Sequence, residues 1–409
     1  MLMPARRARL ALAALLAAAV TAGFEAGAIG FVLPALRQAT GASASEASWL
    51  LSAWVAATLL SVPACALASR RQGSVRLLRG CLLVAVVAGL LACTLPLLAG
   101  VLVARVLQGL AYGPLPPLVA AVAVSGWPPE RHGRVLGLVS LAYGLSFVAA
   151  TLGAPALLSG GWRHAFAFGT GLALLSLLLA TGLASDAADR GQPAGQAAGQ
   201  AVEWRQAVSR PLQPVVLLSL GTGIGQAALV WLPTLALARL GVPLADLAPL
   251  MVPMLLGGLA ATASVIHWLD RIGPRRLVAV GQALALAGLL LAVLAPPRAW
   301  AFMAGSAALG YGIGLLSGGP LRYAAARVLP REAQGLAQGA VAWITDLGLL
   351  AGSLVLGHVA GPAGPAEPGS AAGAGIEQAL LVAAAALLLC APALLRLPAH
   401  TPPPATRQA

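Results

Sequence analysis

Three charged side chains stand well inside apolar stretches of this sequence: Glu25, Arg105 and Asp346. A charge inside a lipid bilayer costs several kcal/mol unless it is paired or hydrated. At about 1.5 Å per helical residue, Glu25 lies roughly 16 Å, and Arg105 roughly 10 Å, below the outer ends of their segments. The two side chains therefore fall at similar depth, which allows them to pair.

A carboxyl group in such a place can exchange protons, because desolvation raises its pKa and a nearby guanidinium lowers it. Alternation between those two environments would load and release a proton, which makes Glu25, with Arg105, the first candidate for proton coupling. A fixed ion pair that locks two helices together is the alternative. Asp346 has no evident basic partner at its depth, so it either lines a wet cavity or is protonated, and it is the third candidate for proton coupling.

The elements that must position these groups are membrane-spanning helices. Hydrophobic residues make up 59% of the 409 residues and charged residues only 9%, whereas soluble domains carry roughly 25% charged residues. This composition excludes a soluble globular protein. Twelve apolar segments are each long enough to cross a bilayer, so the sequence predicts an all-α polytopic membrane protein. The segments are residues 10–36, 47–68, 80–98, 99–125, 135–158, 165–184, 211–237, 247–269, 277–295, 299–321, 333–360 and 378–395.

The 25 basic residues are all arginines, and their positions indicate the topology. With the amino terminus in the cytoplasm, 20 arginines fall in cytoplasmic segments and four in outside loops. Because cytoplasmic loops carry an excess of basic residues, both termini are predicted to be cytoplasmic. The start of the first segment imitates a cleavable signal peptide, but its apolar run continues to Leu36, so we interpret it as the first transmembrane helix.

The sequence lacks the residues that several classes of function require. The chain contains no lysine, which excludes a Walker A phosphate loop and a Schiff-base cofactor. Its arginines lie in short loops instead of on one face, so we expect no nucleic-acid partner. The four cysteines have no CxxC spacing, and no metal-ligand cluster, HExxH or GxSxG motif occurs. We therefore expect no metal, no cofactor and no enzymatic activity.

The chain is predicted to consist of two related halves. Residues 1–184 and 211–409 form two six-helix bundles, joined by a flexible cytoplasmic linker at 185–210, and a short Pro-rich tail ends the second. The halves can be overlaid at an offset that drifts from 199 to 202. Matching residues include Arg71 with Arg271, Gly73 with Gly273, Gly109 with Gly310 and Gly113 with Gly314. A parallel repeat of this kind places a substrate path between the halves near the membrane midplane, which predicts a transporter.

Segment four carries a motif formed by Arg105, Gln108, Gly109 and Gly113. It resembles the RxxQGxxxG signature of the major facilitator superfamily, especially of its drug:proton antiporters. In segment one, Glu25 stands nine residues before a proline, as an acidic residue does in that family.

The resemblance extends to a cytoplasmic loop motif, DRxGxRR. The second half contains the intact motif, which consists of Asp270, Arg271, Gly273, Arg275 and Arg276. In the first half, Arg70 stands where the family has aspartate. The antiporter motif of segment five is only partly present, with Gly161, Trp162 and Arg163 at its downstream end.

The resemblance covers essentially the whole chain and implies the twelve-helix fold of the superfamily. It also implies that Glu25 and Arg105 act in proton coupling and that the intact loop motif, residues 270–276, is part of an inner gate. No substrate-binding residue can be carried over from the family.

These observations predict a secondary active transporter in a bacterial inner membrane. The first hypothesis is proton-coupled efflux of small, partly apolar molecules by alternating access, with one path per monomer. A proton-coupled uptake symporter for a sugar or an organic anion is the alternative, with Arg105 as an anion contact. A non-transporting membrane scaffold or sensor is the second alternative. The expected partners are a small-molecule substrate, protons and the lipid bilayer.

Overall fold

The computed structural model describes residues 5–95, 98–183, 212–317, 319–328, 334–361 and 371–397. Within these ranges the regular elements are all helical. The α-helices are α1 (Ala5–Thr40), α2 (Ala44–Gln72), α3 (Ser74–Thr94), α4 (Leu98–Tyr112), α5 (Leu115–Gly126), α6 (Pro129–Leu158), α7 (Trp162–Thr181), α8 (Gln213–Leu240), α9 (Leu247–Leu294), α10 (Ala299–Ser317), α11 (Gly319–Val328), α12 (Gln334–Ala360) and α13 (Ala371–Cys390). The described helices contain 12 stretches long and apolar enough to cross a membrane, which confirms the predicted number.

Spans and helices do not correspond one to one. The fourth span, Leu98–Ala123, combines α4 and α5, which are separated at Gly113 and Pro114 because proline cannot donate a backbone hydrogen bond. The tenth span, Ala299–Ala325, combines α10 and α11. The eighth and ninth spans, Leu244–Val265 and Arg271–Leu294, share α9, and the twelfth, Ala374–Arg396, continues from α13 into a 3-10 helix, Ala391–Arg396. Each other span lies within one α-helix, because a helix satisfies its backbone polar groups internally where lipid offers no partners.

Local side-chain chemistry fixes where α2 begins. Ser43 and Glu46 form a reciprocal cap: the Glu46 backbone N–H donates to the Ser43 hydroxyl over 3.1 Å, and the Ser43 N–H donates to the Glu46 carboxylate over 2.9 Å. Such a capping box satisfies two backbone donors that have no partner inside the helix. It therefore starts α2 four residues after α1 ends at Thr40.

Six glycines have a positive φ in the described part of the chain, and they form three pairs. Only glycine adopts such angles without steric cost, so each marks a required turn. The pairs are Gly41 with Gly241, Gly73 with Gly273, and Gly161 with Gly361. Every pair is separated by 200 residues, so the two halves share their sharp turns and the predicted repeat is present in the backbone.

The predicted loop at residues 270–276 is corrected by the structure. The element α9, Leu247–Leu294, consists of two helices that meet at a kink, where Gly273 has non-helical angles (φ 79°, ψ 164°). Arg271, Arg275 and Arg276 are therefore helical, in keeping with the high helix propensity of arginine. A single glycine makes the turn, as Gly73 does between α2 and α3.

Arg79 ties two helices of the first half together. It lies on α3, where its Nε donates to the carbonyl of Ala180 over 2.9 Å and its Nη2 to that of Thr181 over 3.2 Å. These carbonyls belong to the last turn of α7, whose acceptors have no partner inside the helix. The cation therefore completes the carboxyl end of α7, near the start of the predicted linker.

The chain divides into two compact units. The first contains Met1–Ala201, Pro233–Pro249 and Ala360–Gly373, and the second contains Val202–Leu232, Leu250–Val359 and Ala374–Ala409. A cluster of buried side chains that includes Leu15, Leu78 and Leu115 forms the core of the first unit. The predicted linker at 185–210, most of the outside loop at 361–375 and the Pro-rich tail lie outside the described residues.

Candidate functional site

Helices α1 and α4 bring together two of the charged side chains singled out in the sequence. Arg105 Nη1 donates to Glu25 Oε1, and the two groups form an ion pair. Only 8% of Glu25 and 1% of Arg105 is exposed. Their pairing, which similar depth in the membrane allows, is confirmed. Because burial lowers the dielectric screening around the two charges, they interact more strongly than a pair in water.

Arg105 has three further contacts, and two of them come from α2. Its Nε donates to the carbonyl oxygen of Leu50 over 3.3 Å. Its guanidinium carbon lies 5.7 Å from the centre of the Trp54 ring, within cation–π range. On α4 itself, Nη1 also donates to Gln108 Oε1 over 2.9 Å. The guanidinium is therefore held by α1, α2 and α4 together.

Glycines of α4 explain how α2 approaches so closely. A Cβ at Gly109 would lie 2.2 Å from the carbonyl oxygen of Trp54, and a Cβ at Gly113 would lie 2.8 Å from Thr58 Cγ2. The hydroxyls of Thr58 and Ser61 both donate to the Gly109 carbonyl over 3.3 Å. Since residues three and four apart share a helix face, the RxxQGxxxG spacing places the guanidinium, the amide and both glycines against α2.

Two other glycines position Glu25 on α1. A Cβ at Gly23 or at Gly27 would lie 2.3 Å from a backbone carbonyl of α6, so glycine is required at both places. Glu25 stands midway between them and points away from α6, because residues two apart lie on opposite sides of a helix. Its second oxygen, Oε2, is close to Gly169 of α7, where a Cβ would lie 3.8 Å away. Helix α7 therefore covers the side of the carboxylate that Arg105 leaves free.

The second half repeats this backbone packing. A Cβ at Gly310 would lie 2.3 Å from the carbonyl oxygen of Met254, just as Gly109 meets Trp54. Likewise, a Cβ at Gly223 would lie 2.0 Å from the carbonyl oxygen of Thr345 on α12. These contacts support the predicted alignment of Gly109 with Gly310.

The charges are not repeated. Gly225 lies two residues after Gly223, as Glu25 lies two residues after Gly23, and Ser306 lies four residues before Gly310, as Arg105 lies four before Gly109. Ser306 is fully buried, and its hydroxyl donates to its own helix. The ion pair is therefore a feature of the first half and not part of the shared scaffold.

Asp346 lies on α12, in the eleventh span, and is half-buried. It shares a helix face with Ser353, which is buried, whereas its neighbour Leu347 is exposed. Arg322 on α11 interacts with it electrostatically. From the sequence no basic partner is expected, because Arg322 is assigned to a cytoplasmic segment. The structure instead places Arg322 in the tenth span, which corrects that expectation.

The gate motif presents its arginines at the kink of α9. Arg271 Nη1 lies 2.9 Å from His267 Nε2, and its guanidinium carbon lies 5.7 Å from the centre of the Trp268 ring. Arg271 and Arg276 are exposed, and Arg275 is half-buried. Asp270 is part of the same helix, and its side chain lies outside the described part of the structure.

Some contacts of the site have no signal in the sequence. The Leu50 carbonyl is a backbone group, so neither composition nor any motif indicates that it accepts a hydrogen bond from Arg105. The ring of Trp54 lies beside Arg105, a contact that no motif in the sequence marks. In the second unit, Gln226 Nε2 donates to Ser317 Oγ over 2.9 Å, a pairing that spacing alone does not indicate.

Comparison with known proteins decides the family. The family model of the Major Facilitator Superfamily matches residues 15–269, more than half of the chain. The chain belongs to the major facilitator superfamily. Members of this superfamily are membrane transporters and not enzymes.

Curated relatives in the superfamily are named for export and resistance. Multidrug export protein EmrB of Haemophilus influenzae is 30% identical over 130 residues, which are 32% of this chain and 24% of that protein. Fatty acid resistance protein FarB of Neisseria gonorrhoeae is 28% identical over 139 residues, 33% of this chain and 27% of that protein. The matched region thus spans about a quarter of each relative's length.

Solved structures of superfamily transporters share the fold over nearly the whole chain. A bacterial homologue of the human lysosomal transporter Spinster, inward-facing and unoccupied, has a TM-score of 0.76 at 17% identity and covers 96% of this chain and 97% of its own. The nucleoside transporter NupG has a TM-score of 0.72 at 12% identity, with 94% and 98% covered. The predicted all-α fold of the superfamily is confirmed.

Proposed function

We propose that this superfamily member is a proton-driven exporter of small, partly apolar molecules that works by alternating access. The observation that carries the proposal is the buried ion pair of Glu25 and Arg105 within two membrane spans. Glu25 can take up a proton only when its contact with the guanidinium is broken, so protonation is linked to rearrangement around α1 and α4. Relatives named for multidrug export and fatty acid resistance support the substrate class and the direction.

In this proposal the two six-helix halves, residues 1–184 and 211–409, move against each other around a path near the midplane. The linker at 185–210 joins them. The excess of 20 arginines in the segments assigned to the cytoplasm over four outside supports cytoplasmic termini. The protein acts as a monomer in a bacterial inner membrane, and the 270–276 motif contributes to the inner gate.

Glu25 is the proton carrier and Arg105 its partner. The deprotonated carboxylate is stabilised by the guanidinium, whereas the protonated form leaves the guanidinium to Leu50, Gln108 and Trp54. A proton that enters from outside is released inside as a substrate molecule leaves. Protonation of Glu25 leaves the buried Arg105 without a counter-charge, so these uncharged contacts must offset part of a cost of several kcal/mol.

The rival functions differ in what they require of Arg105. An uptake symporter for an organic anion needs a guanidinium free to meet its substrate, whereas Arg105 is 1% exposed and bonded on three sides. This arrangement favours coupling over substrate contact. A scaffold or sensor predicts no substrate-dependent flux at all.

The test uses inside-out vesicles that are acidified by respiration and contain a pH-sensitive dye. Lipophilic cations, antibiotics, fatty acids and organic acids are added in turn to vesicles with and without the protein. We expect at least one compound to drive protons out and to relieve the quenching only when the protein is present. Proton movement with substrate in the same direction would identify a symporter. No response to the whole panel, with the protein verified in the membrane, would count against export of this substrate class.

Asp346 is proposed as a second ionisable group, paired with Arg322. We expect Asp346→Asn to slow transport several-fold while the response to the pH gradient persists, because the Glu25–Arg105 pair is intact in this variant. The measurement is the initial rate of dequenching in the same vesicles, with Ser353→Ala on the same helix face as the control. A rate equal to the wild type would exclude a role for Asp346, and complete loss would make it obligatory for coupling.

A further inference from the structure

The contacts of Arg105 on α2 matter most when Glu25 is neutral. A protonated Glu25 no longer offers a counter-charge, and an unpaired guanidinium inside a membrane is strongly unfavourable. The groups that remain within reach are uncharged: the Leu50 carbonyl at 3.3 Å, Gln108 Oε1 at 2.9 Å and the face of Trp54 at 5.7 Å. Of these, the aromatic ring is the one whose attraction for a cation does not depend on a hydrogen bond.

Trp54 is held in place for this contact. Its backbone carbonyl meets Gly109, where a Cβ would lie 2.2 Å away, so α2 cannot shift along α4 without a clash. Leu50 and Trp54 are four residues apart and share the face that meets Arg105. The Trp54 indole nitrogen is buried and has no hydrogen-bond partner in the described structure, so the indole is not fixed by another polar group.

Few other charges act on the pair. Tyr112, which is 5% exposed, interacts electrostatically with both Glu25 and Arg105. Among the described side chains of the other helices packed against α1, the charged and titratable groups are exposed, in a cap or, for Cys65, half-buried, and α5 has none. They are Glu46 and Cys65 on α2, Arg131, Arg134 and Tyr143 on α6, and Arg163 and His164 on α7. The groups of α2 that act on the Arg105 guanidinium are therefore Leu50 and Trp54.

We propose that Trp54 is a positioning residue that holds the Arg105 guanidinium when Glu25 is protonated, and that it thereby sets the pH at which Glu25 exchanges its proton. This inference rests on the proposed function. An ion-paired guanidinium gains less from an aromatic face than one whose counter-charge has been neutralised. Loss of the ring therefore penalises the protonated state more than the ionised state.

The expected result for Trp54→Leu is a shift of the Glu25 titration to lower pH by about 0.5 to 1 unit, which corresponds to the usual strength of a cation–π contact. Trp54→Phe keeps an aromatic face and should shift the titration by less than half as much. Trp49→Leu is the matched control, because Trp49 lies on the same helix but is 50% exposed. It should leave the titration unchanged.

Glu25 protonation is followed by infrared difference spectroscopy of the full-length protein in lipid, as the carboxylic acid band that is absent from Glu25→Gln. This readout is independent of transport. A Trp54→Leu titration equal to that of wild type, or a Trp54→Phe shift as large as that of Trp54→Leu, would overturn the inference. If the Leu variant does not fold, a Trp54→Phe shift of about 0.5 unit or more would overturn the inference.

The infrared titration also separates this inference from the proposed function. If Glu25 titrates and Trp54→Leu shifts it, but vesicles show no proton movement with any substrate, the inference stands and the proposed function fails. If substrate drives proton movement in vesicles and the titration does not shift, the function stands and the role of Trp54 is refuted.

Discussion

Glu25→Gln protein is expected to lie folded in the membrane and yet to show no substrate-driven proton movement above that of vesicles without the protein. Glutamine matches glutamate in size and still accepts a hydrogen bond from Arg105, but it cannot carry a proton between two environments. Exchange of labelled for unlabelled substrate without a pH gradient should persist, because this exchange needs alternating access and not proton release. Proton-dye dequenching and substrate counterflow in matched vesicles measure the two properties.

The control for this prediction concerns stability. Removal of one partner from a buried ion pair leaves an unpaired charge, at a cost of about 3–5 kcal/mol. We therefore expect a lower thermal midpoint for Glu25→Gln and recovery of that midpoint, without recovery of coupling, in the double variant Glu25→Gln/Arg105→Gln. Transport of the single variant that still follows the pH gradient would contradict the assignment of Glu25 as the proton carrier.

The overall architecture can be predicted from this sequence because it depends on composition over long stretches. Hydrophobic length sets the 12 spans, and the structure contains that number. The repeat is also visible, since glycines are required at the same turns in both halves. Gly73 and Gly273 show this in the sequence, and the backbone angles extend it to Gly41 with Gly241.

The Glu25–Arg105 contact is predictable for a related reason. Charges are rare in the spans, and two at similar depth have a strong energetic reason to meet. Leu50 and Trp54 are different, because their role depends on which face of α2 meets α4. That face is selected by the glycines at 109 and 113, and an apolar sequence gives α2 no strong periodic pattern from which to read it.

The predicted loop at 270–276 and the unpaired state of Asp346 fail for a common physical reason. Polar residues near the end of an apolar segment are assigned to a loop, although arginine forms helices readily. Arg271 and Arg275 are therefore helical on either side of the kink at Gly273, and Arg322 on α11 lies in the tenth span and interacts electrostatically with Asp346 in the eleventh. Boundaries read from hydropathy alone therefore end the helices too early.

Gly109→Ala is expected to weaken both the fold and the site. The new Cβ would lie 2.2 Å from the Trp54 carbonyl oxygen, so α2 and α4 must separate. Overpacking of this kind costs about 1–3 kcal/mol or more, which lowers the thermal midpoint of the purified protein by several degrees. Gly137→Ala is the control, because a Cβ at Gly137 meets nothing within 4 Å.

Gly310→Ala separates the loss of thermal stability from the loss of proton coupling. Its Cβ would lie 2.3 Å from the Met254 carbonyl oxygen, so we expect a similar loss of thermal stability. The second half has no ion pair at the equivalent position, however, and the folded fraction of this variant should still respond to the pH gradient. In Gly109→Ala the separation of α2 from α4 also withdraws Leu50 and Trp54 from Arg105, and the response per folded molecule should fall. If folded Gly109→Ala and Gly310→Ala respond equally to the pH gradient, α2 does not take part in coupling. A weaker response of Gly109→Ala would show that the close contact of α2 and α4 helps to hold the guanidinium.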